Sequence, residues 1–254
     1  MAEQVMPAGR STNRSALDSE FADDAARSLK GEARSAERLA AGLGMIAGFV
    51  DAYGMMTYGV FVSFMSGNTT QAGYQTAEGL FGPAARAALA ILCFVAGTFA
   101  GTLLMQAAGR LARRAVFGVV AAALAEVVGL TAFGFLAAGF GIAVVSAAMG
   151  ILNSAFSRVG AQPVSLTFVT GTLSRVGSHL ALGLTRAPLA NAQGPWDTHF
   201  RRALLLARVW VGFLAGALVS GAATPRFGVW VLMAPAVVLA ALAAFDRPDP
   251  AGSA

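Results

Sequence analysis

One polar pattern occurs twice in an otherwise apolar chain. Residues 48–73 read GFVDAYGMMTYGVFVSFMSGNTTQAG, and residues 150–177 read GILNSAFSRVGAQPVSLTFVTGTLSRVG. Gly48 aligns with Gly150 and Asp51 with Asn153. After a two-residue insertion, Phe64-Met65-Ser66-Gly67 aligns with Phe168-Val169-Thr170-Gly171, and Gly73 with Gly177. Carboxylates, amides and paired hydroxyls are expensive inside apolar runs, so their repetition at matching offsets is a strong restriction. It favours a duplicated membrane unit with a polar centre and a helix break in each half, the plan of many transporters.

Composition agrees. The 254 residues are 56% hydrophobic and 12% charged, about half the usual charged share of a soluble domain. Between residues 39 and 245 there are four acids (Asp51, Glu78, Glu126, Asp197), eleven arginines and no lysine. The net charge of +5 does not indicate nucleic acid as a partner. The arginines sit at the ends of apolar runs, where they orient helices, and not in an aromatic-interleaved patch. The single cysteine, Cys93, excludes an intrachain disulfide.

Residues 1–37 are polar and small, and are expected to form a disordered cytoplasmic tail. Residues 38–246 are expected to form one transmembrane domain, with repeat one at 40–139 and repeat two at 140–245, followed by a short polar tail at 247–254. Six apolar spans lie near 40–60, 87–108, 115–138, 140–157, 203–223 and 227–245, each close to the ~20 residues that cross a bilayer. The stretches 61–82 and 164–184 are ambiguous. The run from 39 to 68 is too long for one straight span and too short for two, so Tyr58-Gly59 and Ser66-Gly67-Asn68 are the expected breaks. Gly160 and Pro163 serve that purpose in the second copy. Arg110, Arg113 and Arg114 mark one basic loop, and Arg158, Arg175, Arg186, Arg201 and Arg202 another, whereas residues 139–141 are uncharged. Six crossings with both termini in the cytoplasm place both basic loops inside. The fold expected is therefore an all-α polytopic bundle of about six crossings, built from two inverted three-helix repeats with broken helices. Phe94-Val95-Ala96-Gly97 matches Phe213-Leu214-Ala215-Gly216 in the later part of each repeat.

These motifs resemble a known family. GFVDAYG at 48–54, FVSFMSGNT at 61–69, MGILNSAFSRVG at 149–160 and TFVTGTLSRVG at 167–177 are similar to the YoaK-like bacterial membrane proteins, a domain of unknown function. Ser66 stands where the family pattern has threonine, and keeps the hydroxyl. The resemblance covers roughly 40–245 and implies a multi-pass protein of the bacterial inner membrane, with no settled activity. Residues 109–114, Gly-Arg-(x)2-Arg-Arg, are also similar to the short loop of major-facilitator transporters.

Asp51 is the sharpest candidate for chemistry. It lies about twelve residues into the first span, where it is expected to bind a proton, a cation or a polar solute, or to form a structural contact with an arginine or a neighbouring helix. Gly44, Gly48 and Asp51 share one helix face, as do Ser146, Gly150 and Asn153; small residues there let helices approach closely. Ser66, Asn68, Thr170 and Thr172 cluster around Gly67 and Gly171, where an unwound backbone would present carbonyls and helix ends to a ligand. All six polar residues are expected to converge on one cavity near the midplane. Glu126, mid-way in the third span, is a further relay candidate. His179 and His199 are expected to lie apart and to form no metal site.

No catalytic motif and no cofactor site is apparent, so the chain is not expected to be an enzyme. The leading expectation is a small secondary transporter or permease of unknown solute, proton-coupled through Asp51. The alternative is a non-transporting membrane scaffold or sensor. Besides the lipid bilayer, a homodimer is expected from the small-residue runs Gly97-xxx-Gly101 and Gly212-xxx-Gly216-xxx-Ser220.

Overall fold

In a bilayer the backbone must satisfy its own hydrogen bonds, so an apolar chain of this kind resolves into helices. The computed structural model describes residues 9–135, 137–155, 158–159, 162–163, 169–192 and 194–246; side chains are described from residue 31 on, except at 32, 158, 159, 162 and 163. Among the described residues, eight α-helices run in order: α1 (Gly9–Tyr58), α2 (Met65–Ala77), α3 (Phe81–Ala108), α4 (Ala112–Ala132), α5 (Ala138–Ser154), α6 (Val169–Leu184), α7 (His199–Phe227) and α8 (Met233–Phe245). A two-residue pair, β1 (Arg158–Val159) and β2 (Gln162–Pro163), is antiparallel with Arg158 opposite Pro163. Gly160, the expected break of the second copy, lies outside the described residues.

Among the described residues, three helical stretches are long and apolar enough to cross a membrane: Ala33–Tyr58, Phe81–Ala132 and His199–Phe245. Ala138–Ser154 is a shorter apolar helix. The protein is thus a multi-span, all-α membrane bundle. The second and third stretches are each divided at a glycine that adopts a positive φ, +51° at Gly109 and +55° at Gly228, followed by a 3-10 turn. The ambiguous stretches form α2 and α6, of 13 and 16 residues. At ~1.5 Å per residue these extend about 20 and 24 Å, short of the ~30 Å apolar layer. Residues 9–37, within the stretch expected as a disordered tail, are helical and form the first part of α1. Their Ala-, Arg- and Glu-rich sequence has good helix propensity, and extending an existing helix avoids the cost of nucleation.

Helix α1 packs on α7, α3 on α5, α4 on α8, α2 on α3 and α6 on α7. Glycines make the closest approaches. A Cβ on Gly48 would sit 2.0 Å from the Phe213 carbonyl oxygen, and one on Gly150 would sit 2.2 Å from that of Phe94. One on Gly97 would meet the Ala147 carbonyl at 2.1 Å, and one on Gly216 that of Met45 at 1.9 Å. The small-residue runs expected to form a dimer therefore pack inside the chain: Gly97 and Gly101 against α5, Gly212 and Gly216 against α1. Between these contacts lie fully buried side chains, including Leu43, Val50, Phe117, Leu124, Met149, Leu206 and Leu239.

Two groups of ion pairs lie at one end of the bundle. Glu37 of α1 accepts from Arg201 of α7 at 2.5 Å and lies 3.8 Å from Arg208. Arg113, at the start of α4, donates twice to Asp246 just after α8, at 2.9 and 3.1 Å. Arg114 donates to the carbonyls of Ala243 and Ala244. A pocket lined by Arg38, Arg113 and Asp246 lies between the two groups.

Candidate functional site

The duplicated motif of the first copy folds into a turn held by its own polar side chains. Helix α1 ends at Tyr58 because Gly59 takes φ +73°, a conformation disfavoured for side-chain-bearing residues. The chain then folds back so that Val60, Val62 and Ser63 are buried. Val62 packs over Gly54, where a Cβ would stand 2.7 Å from its Cγ1. Such a turn exposes backbone N–H groups that no helix satisfies, and in an apolar surround each needs an acceptor.

Asp51 and Asn68 supply the acceptors. Asp51 is 3% exposed. Its Oδ1 accepts from the N–H groups of Val62 at 2.9 Å and Ser63 at 2.7 Å. Its Oδ2 accepts from the Ser63 hydroxyl at 2.7 Å. Asn68, fully buried in the first turn of α2, accepts from the N–H of Phe61 at 3.0 Å and donates to the Phe61 carbonyl at 2.6 Å. Gly67 has a steric role: a Cβ there would enter the edge-to-face pair of Phe61 and Phe64, 2.6 Å from the Phe64 ring. The motif is a clamp on the turn; the bonds to the ionised Asp51 carboxylate are worth about 1.5–3 kcal/mol each and the neutral Asn68 bonds about 0.5–1.5 kcal/mol.

Against this turn lies a cavity of about 410 Å³. Met55 and Met56 of α1, Phe61 and Phe64 of the turn, Val169 at the start of α6 and Phe213 of α7 line it, with Asp51 and Gly48 at its wall. Of the six polar residues expected to converge, Asp51 alone lines the cavity. Asn68 stands beside Asp51 through the shared turn but faces the backbone of Phe61. Ser66 and Thr170 are exposed, and Thr172 is buried in α6. Asn153 is half-buried on α5; its Oδ1 is buried without a hydrogen-bond partner among the described residues. The hydrogen bonds of Asp51 go to Val62 and Ser63 and not to Asn153. Gly150 and Gly171 occupy helices α5 and α6, and Phe168 lies outside the described residues. Glu126 is exposed on α4, away from the cavity: the face of α4 that packs inward carries Leu124, Val127 and Val128.

The histidines differ from expectation. His179 Nδ1 and His199 Nδ1 are 2.9 Å apart, because α6 packs on α7 and His199 is the first residue of α7. Among the described residues, no group of three His, Cys, Asp or Glu side chains is placed to hold a metal. Ser63 and Phe61 are site residues that sequence reasoning missed. The available signal was Ser63 itself, a hydroxyl between Val62 and Phe64 that needs a partner once buried.

Residues 39–245 match the family described as "Protein of unknown function (DUF1275)". The chain belongs to the DUF1275 family. The DUF1275 match opens inside α1 and closes at the last residue of α8, so it takes in the whole bundle, the clamp and the cavity. The chain is also 32% identical over 214 residues to the UPF0700 transmembrane protein RA0705 of Rhizobium meliloti (strain 1021), an alignment covering 83% of this chain and 86% of the relative. No solved structure matches the chain. The motif resemblance thus holds at the level of an uncharacterised bacterial family of multi-pass membrane proteins.

Proposed function

We propose that this DUF1275 protein is a small secondary permease, not an enzyme, whose solute occupies the cavity beside Asp51. One observation carries the reading: Phe61 and Phe64, which wall the cavity, belong to the turn whose N–H groups Asp51 holds. A proton on the Asp51 carboxylate removes an acceptor from Ser63 and loosens that turn. Proton binding and access to the cavity are linked through the same backbone. The volume falls within the ~300–1,000 Å³ usual for small-molecule sites. The methionine and phenylalanine lining favours an apolar or amphipathic solute.

The architecture assigned to this permease is a pair of inverted repeats with six crossings and both termini in the cytoplasm. Support comes from matched contacts: Gly48 meets Phe213 as Gly150 meets Phe94, and Gly216 meets Met45 as Gly97 meets Ala147. The aligned glycines Gly109 and Gly228 both adopt positive φ. The arginine-rich end that holds Arg113, Arg114 and Arg201 is the cytoplasmic one by charge bias.

A second reading, a non-transporting scaffold or sensor, is favoured by the engagement of both Asp51 oxygens, which a purely structural clamp also requires. Proton uptake and solute flux in proteoliposomes separate the two, with Asp51→Asn as the variant. The permease reading expects a folded protein without proton-driven flux. A wild-type protein that shows no proton-linked flux for any apolar or amphipathic solute class, and an Asp51→Asn variant indistinguishable from it, would refute that reading.

A further inference from the structure

A second hollow, separate from the Asp51 cavity, lies between the middle of α1 and the first half of α7. It is a groove of about 1000 Å³. Its polar end carries Arg34, Arg38, Arg201 and Arg208 against one carboxylate, Glu37. Arg201 is held by two contacts and keeps one buried donor open. Its Nη2 donates to Glu37 at 2.5 Å, its guanidinium lies 4.2 Å from the Trp196 ring centroid, and its Nη1 is buried with no acceptor among the described residues. A buried guanidinium N–H without an acceptor is costly, and an anionic oxygen is the group that satisfies it best. Arg34 and Arg38 are exposed beside it, and Arg208 is 58% exposed.

The groove continues past the arginines along an apolar track. Leu204, Ala207, Val211 and Ala215 follow one another at helical spacing on α7, and Gly212 lets the backbone of Ala41 come close beneath. Leu204 and Val211 are half exposed. A soluble anion accounts for the arginines but leaves this track without purpose. A phosphodiester joined to an acyl chain matches both, with Trp196 at the level where indoles sit in a bilayer. We propose that this groove is a binding site for an anionic phospholipid, its phosphate against Arg201, Arg34 and Arg208 and one acyl chain along Leu204 and Val211. Basic pockets between helices that lead into apolar grooves are suited to such headgroups.

The experiment uses the full chain in nanodiscs of phosphatidylcholine doped with phosphatidylglycerol, with lipid retention read by native mass spectrometry and thermal unfolding as a second readout. Phosphatidylglycerol is expected to be retained and to raise the unfolding temperature, whereas added phosphatidylcholine and inorganic phosphate are not. The double variant Arg34→Gln/Arg208→Gln keeps the Glu37–Arg201 pair and is expected to fold normally in phosphatidylcholine while losing about 30-fold in phosphatidylglycerol affinity. Val211→Trp, which fills the track without altering charge, is expected to reduce retention as well. Equal retention of both lipids, or unchanged phosphatidylglycerol affinity in the double variant, overturns the proposal. Equal protection by inorganic phosphate overturns it too, by assigning the arginines to a soluble anion.

Discussion

Asp51 and Asn68 hold one turn by consecutive backbone groups: Asn68 accepts the N–H of Phe61, and Asp51 accepts those of Val62 and Ser63. One side chain comes from seven residues beyond its partner and the other from eleven and twelve residues before. The turn therefore depends on both helices that flank it. Removing Asp51 leaves the buried N–H groups of Val62 and Ser63 without their acceptor, and removing Asn68 leaves the half-buried N–H of Phe61 without its own.

Asp51→Ala is accordingly expected to destabilise the protein by at least about 3 kcal/mol, since two N–H groups and a hydroxyl lose their acceptor. Ser63→Ala loses one hydrogen bond and is expected to cost about 1–2 kcal/mol. Asp51→Asn keeps an acceptor oxygen for the N–H groups and is expected to fall nearer the serine variant. Unfolding in nanodiscs ranks the three, and an Asp51→Ala protein as stable as wild type would show that the clamp is dispensable.

The helix crossings give a second test. Gly48→Ala and Gly150→Ala place a Cβ about 2 Å from a backbone oxygen of the facing helix, so the helices must separate, at an expected cost of about 2–3 kcal/mol each. Gly73, on the exposed side of α2, has no atom within 4 Å of the same position. Gly73→Ala is expected to be neutral or to stabilise by about 0.5–1 kcal/mol. Equal effects at all three positions would mean that close packing is not what these glycines provide.

Glu126 is exposed mid-way along α4. If that face meets lipid, Glu126→Leu removes a carboxylate that costs about 3 kcal/mol at the centre of a bilayer. The variant is expected to be at least as stable as wild type in nanodiscs and to keep any flux. Loss of stability would place a protein partner on that face.

Topology is open to labelling in intact cells. Leu111 and Phe135 are 51% and 79% exposed, in the loops on either side of α4. In a Cys93→Ser background, cysteine at position 135 is expected to react with an impermeant thiol reagent and cysteine at position 111 to resist it. The reverse pattern would invert the bundle, and equal labelling would show that α4 does not cross.

Much of the architecture was legible because its signals are local. Low charge and long apolar runs identify membrane helices, and Gly59 marks the end of α1 whatever surrounds it. The glycines at 48, 97, 150 and 216 are readable as close-packing sites, but not their partners: Gly97 and Gly216, expected at an intermolecular surface, instead meet Ala147 and Met45 of the same chain.

By itself the sequence determined a helical multi-span membrane protein with a repeated polar motif and a carboxylate within its first apolar stretch, because hydropathy and helix breaking act through neighbouring residues. Only the tertiary structure decided what that carboxylate does. The partners of Asp51 are N–H groups that every residue but proline carries, so no side-chain pattern could single out Val62 and Ser63 before the chain had turned back onto α1. The same holds for His179 and His199, which meet where α6 packs on α7, and for the arginines around Glu37, where α1 and α7, distant in sequence, meet through their small-residue faces and bring their polar residues together.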